Sequence, residues 1–171
     1  MAVYLRVRLV RLAVRRTSFV RLVGLVLAAV GEASSELSVD LVGDGRMRRL
    51  NREYHKKDRT TDVLAFPMRE ALAPGASRVT SDILGDVVIS VPTARRQAKE
   101  GGRSLDEELV WLLVHGVLHL CGYDHERSER EARRMQRRER EILRLLSPVP
   151  RLVVVPALDT TRIRRLGRKT G

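Results

Sequence analysis

Residues 105–120, LDEELVWLLVHGVLHL, are apolar on nearly every side of a helix. No other feature of the chain constrains its fold as strongly. Leu105, Leu109, Trp111, Leu112, Leu113, Val114, Val117 and Leu118 leave no wide polar face. A helix of this kind is stable only when buried, with other elements packed around it. Its ends are also legible. Ser104 and Glu107 have the S-x-x-E spacing of a capping box, and Gly122 supplies a stop. The 171 residues are enough for one domain with a real core. One cysteine, Cys121, excludes an intramolecular disulfide and fits a reducing compartment such as the cytoplasm.

The remaining pattern predicts what surrounds that helix. Val3, Leu5, Val7 and Leu9 alternate with polar residues, as in a half-buried strand. Ser18 is placed to cap a helix from Phe19 to about Val30, ended by Gly31. LSVDLVGD reads as a second strand, and Asp44 as the cap of the helix GRMRRLNREYH. TTDVLAFP and ILGDVVISV read as further strands, separated by a loop, REALAPGASRVTSD. Pro92 suits the first turn of the helix PTARRQAKE, before Gly101 and Gly102. Ser128 and Glu131 predict another capping box, for EREARRMQRREREILRLL, with Ala132, Met135, Ile142 and Leu146 on its apolar face. The fold class expected is α+β: a single domain, residues 1–147, with a mixed sheet of about four strands packed with helices. Residues 148–171 read as a basic, disordered tail. The arginines before the apolar run FVRLVGLVLAAVGEASS imitate a signal peptide, but Arg21 interrupts the run and it is too short to span a bilayer, so no membrane partner is expected.

Three of the chain's four histidines fall in VHGVLHLCGYDHE. His115 and His119 are one helical turn apart and project from one face. Gly122 can turn the chain so that His125 joins them. Histidines spaced H-x3-H-x5-H, with a glycine at the turn, predict a metal site. Three neutral imidazoles leave one tetrahedral position open, as in catalytic zinc centres, so one Zn2+ is the expected cofactor. Cys121, two residues beyond His119, should point elsewhere and reads as packing. The spacing follows the metzincin motif H-E-x-x-H-x-x-G-x-x-H, with Gly116 in place of the glutamate that serves those proteases as general base. The metal scaffold is present and the protease's base is absent.

Net charge is +12, much of it arginine. A field of that sign favours polyanions, RNA included. Aromatic residues are only 4% of the chain, which argues against a base-stacking platform for single strands.

The string HGVLHLCGYDH resembles the signature of the YbeY family, zinc-dependent endoribonucleases and ribosomal RNA maturation factors of bacteria. LNREYHKKDRTTDVLAFP and ILGDVVIS resemble two further blocks of that family, in the same order. The resemblance runs from about Leu37 to Leu146. It implies a mixed sheet with the ligand helix over one face, and His115, His119 and His125 as zinc ligands. It also implies maturation of the 3′ end of small-subunit ribosomal RNA and a part in ribosome quality control, with ribosomal RNA and the small subunit as partners. His55 stands where many members have an arginine thought to hold the phosphate. Either His55 does part of that work when protonated, or it is an ordinary surface residue and Lys56, Lys57 and Arg59 supply RNA-binding charge. With no glutamate at Gly116, Glu108 and Asp124 are candidates either for the base or for orienting a ligand. Two other readings stay open: a non-catalytic ribosome-assembly factor with structural zinc, and a zinc hydrolase of a non-RNA substrate. The open metal position disfavours the first, since structural zinc sites are closed. The absent glutamate and the positive charge disfavour the second.

Overall fold

A computed structural model describes residues 1–69 and 83–154. Within them the elements run β1 (Ala2–Val7), β2 (Ala13–Val14), α1 (Arg16–Ala29), β3 (Glu36–Val42), α2 (Asp44–His55), β4 (Val63–Pro67), β5 (Ile83–Ser90), α3 (Val91–Glu100), α4 (Leu105–Leu120), α5 (Glu129–Leu145) and β6 (Val153–Val154). The main sheet has the order β1-β3-β5-β4. β1 and β5 flank β3 in parallel, and β4 closes the far edge antiparallel to β5. This is the mixed four-stranded α+β arrangement expected. The loop REALAPGASRVTSD lies, beyond Arg69, outside the described residues.

Period-two alternation sends the two sides of each strand to different cores. Leu37, Val39, Leu41, Val87 and Ile89 join the main core with α1 and α4. Val42, Leu64 and Val88 join Met47 of α2 in a smaller one. Thus α2 covers one face of the sheet and α4 the other. Ten of the sixteen residues of α4 are buried, which is what a helix apolar all round requires. The apolar run near the N-terminus is core: Phe19, Leu22, Val23, Val26 and Leu27 of α1 are buried. No helix among the described residues is long and apolar enough to cross a membrane.

Several ends differ from the expectation. α1 begins at Arg16 rather than after Ser18, and Arg15 at its cap makes no side-chain bond to it. Gly43 caps α2, so Asp44 is the first helical residue. Its carboxylate accepts instead from Ser90 Oγ at 2.6 Å, Thr93 Oγ1 at 2.8 Å and Arg96 Nη1 at 2.9 Å, tying α2 to α3. Partial burial pushes this carboxyl up, but the bonds from Ser90, Arg96 and Thr93 outweigh it and hold the group below the usual carboxylate range. Ser104 and Glu107 form the full capping box, whereas Ser128 caps α5 by accepting from the Glu131 amide.

Ordered structure continues past residue 147, where the tail was expected to begin. Leu152 is fully buried and Val153 nearly so. Both amides donate to Asp106 Oδ1, at 2.9 and 3.0 Å, and β6 pairs with β2. The prolines hid this short strand, because two residues carry no readable period. The part of the expected tail beyond Val154 lies outside the described residues. Leu152→Ala is expected to destabilise the fold by about 3 kcal/mol, the usual cost of truncating a buried leucine. Urea unfolding checks it, and a change below about 1 kcal/mol would mean that this strand does not belong to the core.

Candidate metal centre

α4 brings His115 and His119 to one flank, a turn apart, with their Nε2 atoms 3.1 Å from each other. The helix ends in a Schellman motif: the Tyr123 amide donates to Leu118 O and the Gly122 amide to His119 O, both at 3.0 Å. Gly122 there has φ +87°, which glycine adopts without a Cβ penalty. The chain reverses and delivers His125. Its ring centroid lies 5.3 Å from that of His115 and 5.2 Å from that of His119. One ring nitrogen from each of the three falls within 4.8 Å of the others, so the trio could hold one metal ion. Cys121 stands apart from this group and packs on the main core. Burial, with the nearby Glu32 charge, pushes its thiol up to about 11, so it is no ready thiolate ligand.

A second layer orders the rings. His115 Nδ1 meets Glu139 Oε1 at 2.6 Å, and the Trp111 ring stacks on His115 at 5.4 Å. Glu139 comes from α5 and is buried. A carboxylate accepting from Nδ1–H fixes the tautomer that leaves the Nε2 lone pair facing the other histidines. Burial holds the His119 pKa below its ordinary value. The charges of His115 and His125 push it the same way, against a hydrogen bond with the Tyr123 backbone and the charge of Asp124. The neutral imidazole that a metal needs is therefore the favoured form of His119.

Glu139 was missed by the sequence reading. It sits in the stripe Ala132, Met135, Ile142, Leu146 as its one charged member, and a lone carboxylate in an apolar stripe is the signal that could have found it. The other candidates are placed differently. Glu108 is 1% exposed and its carboxylate is taken by Arg103, at 2.9 Å from Nε. Asp124 Oδ1 accepts from the Glu126 amide at 2.9 Å, so it shapes the turn that carries His125. His55 is exposed at the end of α2, its ring 6.5 Å from that of Phe66. Lys56, in the left-handed conformation, ends that helix, and Asn51 Nδ2 donates to the Arg59 carbonyl at 2.9 Å. Lys57 and Arg59 lie in the segment leading to β4. Among the described residues none of these four bonds to the three histidines.

Gly116 explains the missing glutamate. A Cβ here would lie 2.9 Å from Val87 Cγ1 and 3.3 Å from Val63 Cγ2. The position next to His115 faces the sheet, against Val87 of β5 and Val63 of β4, and has no room for a base.

The fold and the site define an α+β protein with a three-histidine centre able to hold one metal ion. Comparison with known proteins is specific. The family model for endoribonuclease YbeY matches residues 12–147. An endoribonuclease YbeY of Geobacter metallireducens is 52% identical over 126 residues, covering 71% of this chain and 79% of that one. One of Aquifex aeolicus is 45% identical over 141 residues, covering 82% and 90%. The solution structure of TM1509 from Thermotoga maritima superposes with a TM-score of 0.56 at 22% identity, over 82% of this chain and 86% of that one, which is a likeness of fold. The chain belongs to the endoribonuclease YbeY family.

Proposed function

We propose that this protein is a zinc-dependent endoribonuclease that matures the 3′ end of small-subunit ribosomal RNA in the cytoplasm, acting on RNA within or near the small ribosomal subunit. The observation that carries the reading is the convergence of His115, His119 and His125, with Glu139 behind His115, in a chain of net charge +12. Three imidazoles suit zinc, and no soft thiolate set competes. When bound, such an ion supplies Lewis acidity toward a phosphate oxygen and lowers the pKa of water. The chain's own residues hold it: His115 fixed by Glu139, His119 kept neutral by burial, and His125 presented by the turn that Asp124 shapes. The base is not the residue after the first histidine, because Gly116 faces the sheet. Asp124 is better placed than Glu108, whose carboxylate is committed to Arg103. Lys56, Lys57, Arg59 and His55, when protonated, are proposed to contribute to phosphate binding.

The test is a small-subunit ribosomal RNA 3′ fragment incubated with protein stripped of metal and then reloaded with zinc. Cleavage is expected only after reloading. A 2′,3′-cyclic phosphate on the product means that the RNA's own 2′-OH attacks, and its absence means attack by water. Tight RNA binding with no cleavage in any metal state would instead make the protein an assembly factor. Zinc-dependent cleavage of a peptide library with RNA untouched would make it a hydrolase of another substrate class.

A further inference from the structure

A groove of about 590 Å³ beside Tyr4, Arg6, Glu36 and Asp86 is lined by both signs of charge. A second groove, of about 340 Å³, is not balanced in this way: it is lined by Tyr123, Arg130, Arg134, Arg137, Arg138 and Glu141. Four guanidiniums face one carboxylate. Arg138 is engaged, with Glu141 Oε2 at 3.0 Å and the Ala29 carbonyl. Arg134 lies over the Tyr123 ring, 5.0 Å from its centroid, and reaches Glu131 at 3.4 Å. The side chains of Arg130 and Arg137 make no hydrogen bond or ion pair among the described residues, and both residues are exposed. Arg134 and Arg138 pair with acidic residues of α5 at i,i+3, as on a solvated helix face, whereas Arg130 and Arg137 have no such partner. Arg130, Arg134 and Arg138 repeat at i,i+4, a like-charge spacing that weakens a helix.

We infer that this groove is a binding track for the sugar-phosphate backbone of RNA, reading no sequence. The inference rests on the ribonuclease reading above for the identity of the polyanion. A guanidinium matches a phosphate with two parallel donors, and the Tyr123 ring already orients one of them. At a rise of about 1.5 Å per residue, positions 130, 134 and 137 are spaced along the axis by about 6 and about 4.5 Å, so these arginines form a row along α5. The groove is also joined to the metal centre by chain. Tyr123 lies two residues before His125 in the same turn, so an RNA held there is held by the segment that carries a proposed metal ligand. Glu139, on the opposite flank of α5, reaches His115.

The experiment compares two charge-matched variants of the full chain on the ribosomal RNA 3′ fragment. Arg130→Gln/Arg137→Gln removes the two unpaired guanidiniums of the groove. Arg133→Gln/Arg140→Gln removes the same charge from exposed residues of α5 outside it. Binding is measured against salt, alongside zinc content and thermal melting. The groove pair is expected to lose about tenfold in affinity and to flatten the slope of log K against log salt by about 1.4, from two phosphates at about 0.7 each on a single strand. Its KM for cleavage should rise, with zinc content unchanged. The control pair should lose less than half as much. Equal loss in both pairs overturns the inference, because the effect is then general charge. An unchanged slope in the groove pair overturns it too, as does intact RNA binding with lost binding to polyglutamate, which would assign the groove to an acidic protein. If the intact protein binds RNA through the groove yet never cuts it, the ribonuclease reading fails and the groove stands.

Discussion

Gly116→Glu, which restores the residue of the protease motif, is expected to unfold the protein instead of adding a base. The first added carbon alone would meet Val87, a fully buried residue, at 2.9 Å. Valine is stiff at χ1 and has no second rotamer to retreat to cheaply. Overpacking of this kind costs about 1–3 kcal/mol. The rest of the side chain would then lead a carboxylate between α4 and the sheet, past Val87 and Val63, at a further cost of several kcal/mol. Together these approach the whole stability of a typical domain, about 5–15 kcal/mol. Gly116→Ala separates the two costs. It adds the contact but no charge, and gains about 1 kcal/mol of helix propensity in return. Its melting temperature should fall by only a few degrees. Circular dichroism with thermal melts checks both variants. A Gly116→Glu protein with a native spectrum and normal zinc binding would show that α4 does not lie this close to β4 and β5.

The three metal-ligand candidates were legible from the sequence because a helix has a fixed period: residues four apart share a face, and a glycine past the last turn reverses the chain. The buried helix was legible for the same reason, since polarity around its circumference can be counted. What was not legible depends on which elements meet. Asp44 looks like a helix cap on its own stretch, but its partners lie more than forty residues away on β5 and α3. Glu108 was a reasonable candidate by spacing, yet a neighbouring arginine neutralises it. Glu139 was hidden because its role exists only once α5 packs beside α4. Residues 148–154 look like tail in the sequence because their contacts, with Asp106 and β2, are all long-range.

Glu139 and His119 should separate the holding of a metal from its positioning. His119→Ala removes a ligand, so zinc content should fall to near zero and RNA cleavage with it, while RNA binding persists. Glu139→Gln keeps a hydrogen-bond acceptor for His115 Nδ1–H but removes the charge behind it, and Glu139→Ala removes both. Losing such a partner typically weakens metal affinity by about 10–100-fold, so Ala should approach the upper figure and Gln the lower. Competition with a chelator measures this directly. If Glu139 merely fills space, both variants would lower the melting temperature of the metal-free protein and leave zinc affinity unchanged. pH supplies a second check. His119 has a folded pKa below its unfolded value of about 6.5, so as pH falls below 6.5 the unfolded chain takes up a proton that the fold resists. Its contribution to the stability of the metal-free protein is therefore intact above about pH 6.5 and is lost progressively on the acid side of it. His119→Ala should flatten that acid limb, because its buried imidazole is gone. A limb unchanged by this substitution would mean that His119 is solvated and that the three rings do not converge as described.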